Sequence, residues 1–488
     1  MRDIISPLDG IRSPFGARRG AVVPFSPLEL FLLGEQGVWY DPSDLTTLFQ
    51  DAAGTTPVTA VEQPVGRMLD KSGRGNHATQ ATSAARPVLS ARVNLLEKTE
   101  DLSAAYWSTA TGLTSRVTAS GFTTLTENTG TSTHRIGLEP STTAALGTPI
   151  TIVCSFKAGT RRYLQFQWDN NTLGVGAVVD TQNWTIAPLT GSGTVTASSI
   201  TNLGAGEYQV SVTGFVSSGT TAVNLLIYGL SSATQNSVTY TGTSATIIAG
   251  KADLRVANDT ALPVYQRVNT ATDYDTVGFP TYLRFDGTDD SMATASINFT
   301  STDKMTVFGG VRKLSDAAQG IAFELSASSS SNPGAFRIDA PRSNTENFAF
   351  ISGGSTPVAA IQASGYAAPI SVVATGVGNI SGDQAILRLN GLQAAINTGD
   401  QGTGNYGNYP LYVGARAGTS LYYSGRLYSL IVRGAATTDT LIGQTEQWIS
   451  NEMGGGFVPT GYDYLVDANG DFITDASGNP LYTQALYS

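Results

Sequence analysis

The chain of 488 residues carries 28 basic and 38 acidic side chains for a formal net charge of −10, and charged residues make up only 14% of it, against about 25% in an ordinary soluble domain. A surface of that sign repels phosphates, which excludes nucleic acid as the partner of its bulk. One cysteine (Cys154) and two histidines (His77 and His134) exclude an internal disulfide framework and a multi-cysteine zinc site and leave little for imidazole chemistry, so neither a metal nor a cofactor is expected.

Residues 1–25 hold Pro7, Pro14 and Pro24, three glycines and the arginines Arg2, Arg12, Arg18 and Arg19. Such a segment cannot build a core of its own. It reads either as a loose tail or as an arm that docks on a larger acidic surface. The apolar run from Val22 to Leu33 is broken by Pro24, Pro27 and Glu29, unlike a secretory signal. No stretch approaches the roughly 20 apolar residues of a membrane-spanning helix, and no membrane insertion is expected.

Beyond residue 25, short alternating runs rich in Thr, Ser, Val, Tyr and Phe are separated by Gly, Asn and Asp, at the spacing of an all-β sandwich. In chain order the runs are Ile150 to Phe156, Arg161 to Trp168, Tyr208 to Thr213, Val223 to Tyr228, Met305 to Val311, Ile370 to Thr375, Ala385 to Asn390, Pro410 to Gly414 and Arg426 to Arg433. Tyr208, Val210 and Val212 share one face of their strand, while Gln209, Ser211 and Thr213 share the other. The Asn390-Gly391 pair asks for a type I′ hairpin turn. Helical spacing occurs once with clarity: Leu441, Ile442, Trp448 and Ile449 form a stripe over about 438–453, stopped by Gly454 to Gly456.

Gly37-Val-Trp-Tyr-Asp-Pro-Ser-Asp-Leu45, followed by Leu69-Asp-Lys-Ser-Gly-Arg-Gly-Asn-His-Ala78, resembles the opening of concanavalin A-like (laminin-G-like) lectin domains in the version that phage and prophage virion proteins carry. The strand ending Phe-Asp-Gly that this family places next appears only at Tyr282-Leu-Arg-Phe-Asp-Gly-Thr-Asp-Asp290. Its closing pattern follows at Leu411-Tyr-Val-Gly-Ala-Arg416 and Gly425-Arg-Leu-Tyr-Ser-Leu-Ile-Val-Arg433. Between the halves, Asn94-Leu-Leu-Glu-Lys-Thr-Glu-Asp101 with Trp107, Phe156-Lys-Ala-Gly159 and Gly206-Glu-Tyr-Gln-Val210 resembles the jelly-roll carbohydrate-binding modules of phage tail proteins. A strand at 37–92 without its sheet cannot bury its apolar side chains and needs partners from 265 onward. The expected organisation is therefore an arm at 1–25, a discontinuous sandwich at 26–92 plus 265–456, a second sandwich inserted at 93–264, and a β-hairpin segment at 457–488. Insertion is tolerated where domain termini lie together at the surface.

In the last segment, runs at 464–466 and 471–474 flank Ala468-Asn-Gly470. Asp467, Asn469 and Asp471 imitate a calcium loop, but its twelfth position is Gly478 where a glutamate belongs, so turn chemistry is the better reading.

The motifs give no support to catalysis. The Glu-x-Asp-x-x-Glu strand of the glucanases in this lectin-like fold is missing, and the adjacent Asp289-Asp290 follows Phe285-Asp-Gly287 and reads as turn capping. No nucleophile elbow or phosphate-binding loop is present. His77 and His134 read as surface or edge residues, and Cys154, mid-strand, as a buried inert thiol.

Sugar recognition needs aromatic faces flanked by amides and carboxylates. In Arg161-Arg-Tyr-Leu-Gln-Phe-Gln-Trp168, Leu164, Phe166 and Trp168 fall on the core side, while Arg161, Tyr163, Gln165 and Gln167 fall on the other. That face is either a solvated strand face or a polar platform for a glycan. Gly404-Asn-Tyr-Gly-Asn-Tyr409 offers Tyr406 and Tyr409, either as packed turn residues or as a binding loop. Trp39, Trp107, Trp184 and Trp448 are assigned to structure. The resemblance implies a non-enzymatic virion fibre or adhesion protein, exposed on the particle exterior after assembly in the host cytoplasm. It would contact other virion proteins and host-surface polysaccharide in several copies. A purely structural decoration or connector protein is the alternative, and a depolymerase is less favoured.

Overall fold

The computed structural model describes residues 25–191, 193–256, 265–457, 462–464 and 482–484. The chain is all-β, with every strand pairing antiparallel and one α-helix, Asp439–Glu452, among the described residues. Arg2, Arg12, Arg18 and Arg19 lie outside the described residues.

Four large sheets form two face-to-face pairs. An eight-stranded sheet and a nine-stranded sheet enclose one apolar core, drawn from residues between Val38 and Leu89 and between Leu283 and Val432. In the first of these sheets, Gly37–Tyr40 pairs with Ser424–Arg433, and Val88–Ser90 pairs with Tyr282–Asp286. Two six-stranded sheets enclose a separate core, drawn from residues between Leu96 and Val256. This is the sandwich solution to sheets that are apolar on one face. Asn94 and Gln266, both fully buried, tie the segments by which the chain enters and leaves the second sandwich. The Asn94 amide donates to the carbonyls of Ala252 (3.0 Å) and Gln266 (2.9 Å), and Gln266 Oε1 accepts from Val93 N–H (2.8 Å) and Asn94 N–H (3.0 Å).

Local chemistry sets the ends of the elements. Asn390 and Gly391 sit at φ of +52° and +83°, both left-handed, as a type I′ turn demands. The Thr438 hydroxyl accepts from Leu441 N–H to cap the helix. Ile442 and Ile449 of the expected stripe are buried against Trp39, Phe308 and Ile431, while Leu441 and Trp448 pack at the margin. Arg388 fixes the helix to the sheet with a two-pronged pair to Glu446 at 2.8 and 2.9 Å.

One expectation changes. His134 is not a surface residue. Thr131–Thr133 pairs with Thr239–Thr241, which lays the Tyr240 ring over the imidazole at 4.5 Å and leaves His134 0% exposed. At the C-terminal end, the described pairing joins Tyr462–Tyr464 to Tyr482–Gln484, and the expected turn at Ala468-Asn-Gly470 lies outside the described residues. The runs 465–466 and 471–474 lie outside the described residues.

Candidate functional site

The site is built on one sheet of the second sandwich, whose strand order is Thr185–Pro188, Gly174–Asp180, Tyr163–Asp169, Ala222–Leu230, Arg135–Thr143 and Thr109–Thr111. Strand alternation sorts the side chains. Leu164, Phe166, Trp168, Val175, Ala177, Val223, Leu225 and Ile227 enter the core. Gln165, Gln167, Asp169, Asn224 and Tyr228 fall on the opposite face.

That face is not open along its length. The segment between Leu230 and Val238 folds across it, and Val178, Leu189, Leu230, Tyr163 and Val238 form a small apolar cluster beneath. Asn236 seals the roof: its N–H donates to Gln165 Oε1 at 2.8 Å, and its side-chain oxygen accepts from Gln165 Nε2 at 3.0 Å. Gln235 joins the neighbouring loop as a strand would, donating to Thr190 carbonyl at 2.9 Å and accepting Thr190 N–H at 3.0 Å.

Beside the roof lies a groove of about 430 Å³, lined by Arg135, Glu139, Gln167, Asp169, Asn171, Gln235 and Asn236, among others. Its floor is held by a chain of amides. Gln165 Nε2 donates to Gln167 Oε1, and Gln167 Nε2 donates to Asp169 Oδ2 at 2.8 Å. Asn224 Nδ2 donates to Asp169 Oδ1 at 2.9 Å and to Asn171 Oδ1 at 2.8 Å. Gly176 makes this floor possible, because a Cβ there would stand 2.5 Å from Gln167 Cβ and 2.4 Å from the Phe166 carbonyl. On the far wall, the register of Arg135–Thr143 breaks between Leu138 and Thr142, a bulge that re-aims Glu139. Arg135 then pairs with Glu139 at 2.8 Å and donates to the Tyr228 hydroxyl at 3.1 Å. Asn171 and Asn236 both adopt left-handed backbone, at φ of +67° and +61°. Asparagine tolerates that region better than most residues, and strained positions gather at binding sites.

Of the residues singled out in the 161–168 strand, one reaches the groove. Gln167 lines it, although only 7% exposed. Gln165 is 1% exposed beneath Asn236, and Tyr163 packs in the apolar cluster with the Arg162 guanidinium 4.8 Å from its ring centre. Arg161 serves structure instead of a platform. It makes a two-pronged bond with the fully buried Glu127, at 2.6 Å for both Nε and Nη2, and stacks over Tyr240. Burial alone would raise the Glu127 carboxyl, but hydrogen bonds from Arg161 and Tyr240 outweigh it and hold the group below its usual range.

The tyrosine loop is likewise corrected. Tyr406 is 1% exposed in the core of the first sandwich, its hydroxyl 2.6 Å from Ser352 Oγ, because the chain between Gln401 and Gly407 is stitched to residues 302, 334 and 354–356 by backbone hydrogen bonds. Tyr409 is half-buried and donates to the Pro333 carbonyl at 3.1 Å, with its ring lying over Gly407. The Tyr406 ring is not free to stack on a sugar. Cys154 is fully buried, and burial pushes its thiol up to about 12.

A second polar cluster lies at the turn after Tyr282–Asp286. Asp286 Oδ1 accepts the N–H groups of Thr288 (2.7 Å) and Asp289 (3.3 Å), and Asp290 Oδ2 accepts Asp286 N–H at 3.0 Å. These are capping bonds. They also bring carboxylate oxygens of Asp286, Asp289 and Asp290 within 4.8 Å of one another, a meeting the sequence pattern did not flag. Burial, then the charges of Asp286 and Asp289, push the Asp290 carboxyl up to about 7.

The groove-lining residues that sequence reasoning missed include Arg135, Glu139, Asp169, Asn171, Gln235 and Asn236, with Asn224 holding Asp169 and Asn171 from beneath. Only the Asp169-Asn-Asn171 turn, directly after an alternating strand, carries a local signal.

No family model matches the chain, and no curated protein matches it. Solved structures give partial likenesses. The binding domain of Paraclostridial Mosquitocidal Protein 1 is 14% identical over 40% of this chain and 47% of that one, with a TM-score of 0.29. The K499G mutant of NanB sialidase from Streptococcus pneumoniae is 15% identical over 33% of this chain and 26% of that one, at 0.26. Domains LG4-5 of the mouse laminin α1 chain are 13% identical over 66% of this chain and 90% of that one, at 0.26. The chain thus spans less than half the length of the first two.

Proposed function

We propose that this chain is a non-enzymatic adhesion protein of a phage particle, docked through residues 1–25 and gripping host-surface glycans through the groove of its second sandwich. The observation that carries the glycan reading is the floor of Gln167, Asp169 and Asn171, interlocked by hydrogen bonds with Asn224 beneath it and bordered by a pinned roof. Sugar hydroxyls both donate and accept. A wall of fixed amide and carboxylate groups at one rim of a preformed groove meets them without an ordering cost. Binding by one groove of this size is weak, and several copies on one particle raise the effective concentration to a useful level.

The particle half of the proposal is supported by the resemblance of 37–45, 69–78 and 282–290 to virion lectin-like domains, and by four arginines in a 25-residue segment of an otherwise acidic chain. The neighbours on the particle are other virion structural proteins and further copies of this chain. A glycan array probed with purified full-length protein tests the first half. Signals on host-surface glycans that vanish in Gln167→Ala and Asn224→Ala support it, and no signal on any glycan or host cell overturns it in favour of a decoration protein. Deleting residues 1–25 tests the second half, since a truncated chain that still enters particles contradicts docking through that segment.

A further inference from the structure

We infer that the groove takes neutral glycans and rejects acidic ones such as uronate- or sialate-bearing chains, an inference that rests on the reading of the groove as a sugar site. The charge of the lining decides it. Arg135 is the lining's one cation among the described residues, and its guanidinium is spent on Glu139 at 2.8 Å with a second contact to the Tyr228 hydroxyl. That pair is neutral as a unit.

Asp169 remains. Its two oxygens accept from Gln167 Nε2, Asn224 Nδ2 and Asn171 N–H, at 2.8, 2.9 and 3.1 Å. All three donors are uncharged, and no described cation lies within ion-pair distance of it. The groove therefore holds one net negative charge on its floor, beside a roof of neutral amides from Gln235 and Asn236.

A carboxylate offers about four acceptor sites, and the three neutral donors leave one of them, on Oδ2, which a sugar hydroxyl can fill. The matching ligand is a neutral chain that presents a hydroxyl there. A second carboxylate, brought by the ligand, meets Asp169 across a partly desolvated gap, where the lining's one cation among the described residues, Arg135, is already paired with Glu139. Repulsion at that range exceeds the screening of physiological salt. The expected discrimination is at least about tenfold in Kd. The net charge of −10 on the whole chain adds to it at longer range.

The test is calorimetric titration of the full-length protein with paired probes: neutral gluco-, galacto- and manno-oligosaccharides, and oligomers of the same length bearing uronate or sialate. Binding of a neutral probe at least tenfold tighter than its acidic counterpart supports the inference. So does narrowing of that ratio in Asp169→Asn, with Glu139→Gln as a second charge-removing variant should Asp169→Asn fail to fold. Acidic probes that bind as well as or better than neutral ones overturn the inference and leave the sugar reading standing. Failure of every probe at millimolar concentration overturns the sugar reading itself.

Discussion

Arg161→Met removes one half of the buried pair with Glu127 and leaves a carboxylate, 0% exposed, with only the Tyr240 hydroxyl on it. Breaking a buried pair from one side costs about 3–5 kcal/mol, mostly the uncompensated charge. For a domain of this size each kcal/mol moves Tm by about 2–4 °C, so the second sandwich should melt about 6–20 °C lower. The sign of the pH dependence follows from the lowered Glu127 carboxyl. A group depressed in the folded state contributes stability that is complete above its unfolded value, near 4.5, and is lost as pH falls through the folded one. The gap between wild type and Arg161→Met should therefore be full at pH 7 and close in acid, where Glu127 is protonated in both. Adding Glu127→Gln to Arg161→Met should restore most of the loss, since the amide oxygen still accepts from Tyr240. Calorimetric melts of the three proteins between pH 3 and 7 measure all of this. A loss under about 1 kcal/mol at pH 7, or a gap that widens in acid, would refute the assignment of Arg161 to structure. So would a glycan affinity that falls in a variant still folded at the assay temperature.

Asn236→Gly keeps the left-handed backbone but removes the acceptor that pins Gln165, and should weaken glycan binding roughly tenfold at little cost in Tm, as read by titration and melting. Asp290, raised to about 7 in the folded state, stabilises only while protonated. Stability should fall as pH rises from about 4 through 7, and Asp290→Asn should flatten that slope and melt higher than wild type at pH 8. Tyr406→Phe loses one bond to Ser352 and should cost about 1 kcal/mol in denaturant melts, with no change in glycan binding. Cys154, pushed up to about 12 and buried, should resist thiol reagents at pH 8 until the chain is unfolded.

What could be read in the sequence was whatever depends on neighbours along the chain. Alternation alone put Leu164, Phe166 and Trp168 inside, the Asn390-Gly391 pair marked its turn, and the helix was bounded to within a residue or so. The fates of Arg161, Gln165 and Tyr406 depend on partners far along the chain. Glu127 lies 34 residues from Arg161, Asn236 lies 71 from Gln165, and Ser352 lies 54 from Tyr406. Nothing local announces them. Alternation says which face a side chain takes, and it is silent on whether another segment will cover that face. The groove needed three such facts at once: a roof from 231–237, a bulge that turns Glu139, and a glycine at 176 that lets Gln167 lie down.

The most direct measurement is a crystal structure of the full-length protein soaked with a short neutral oligosaccharide selected from the array. A sugar seated between Asp169, Asn171 and the Gln235–Asn236 roof, with a hydroxyl on the Asp169 carboxylate, is the expected result. The same sugar bound at the loop of Tyr406 and Tyr409, against the first sandwich, or to an empty-walled surface elsewhere would contradict it.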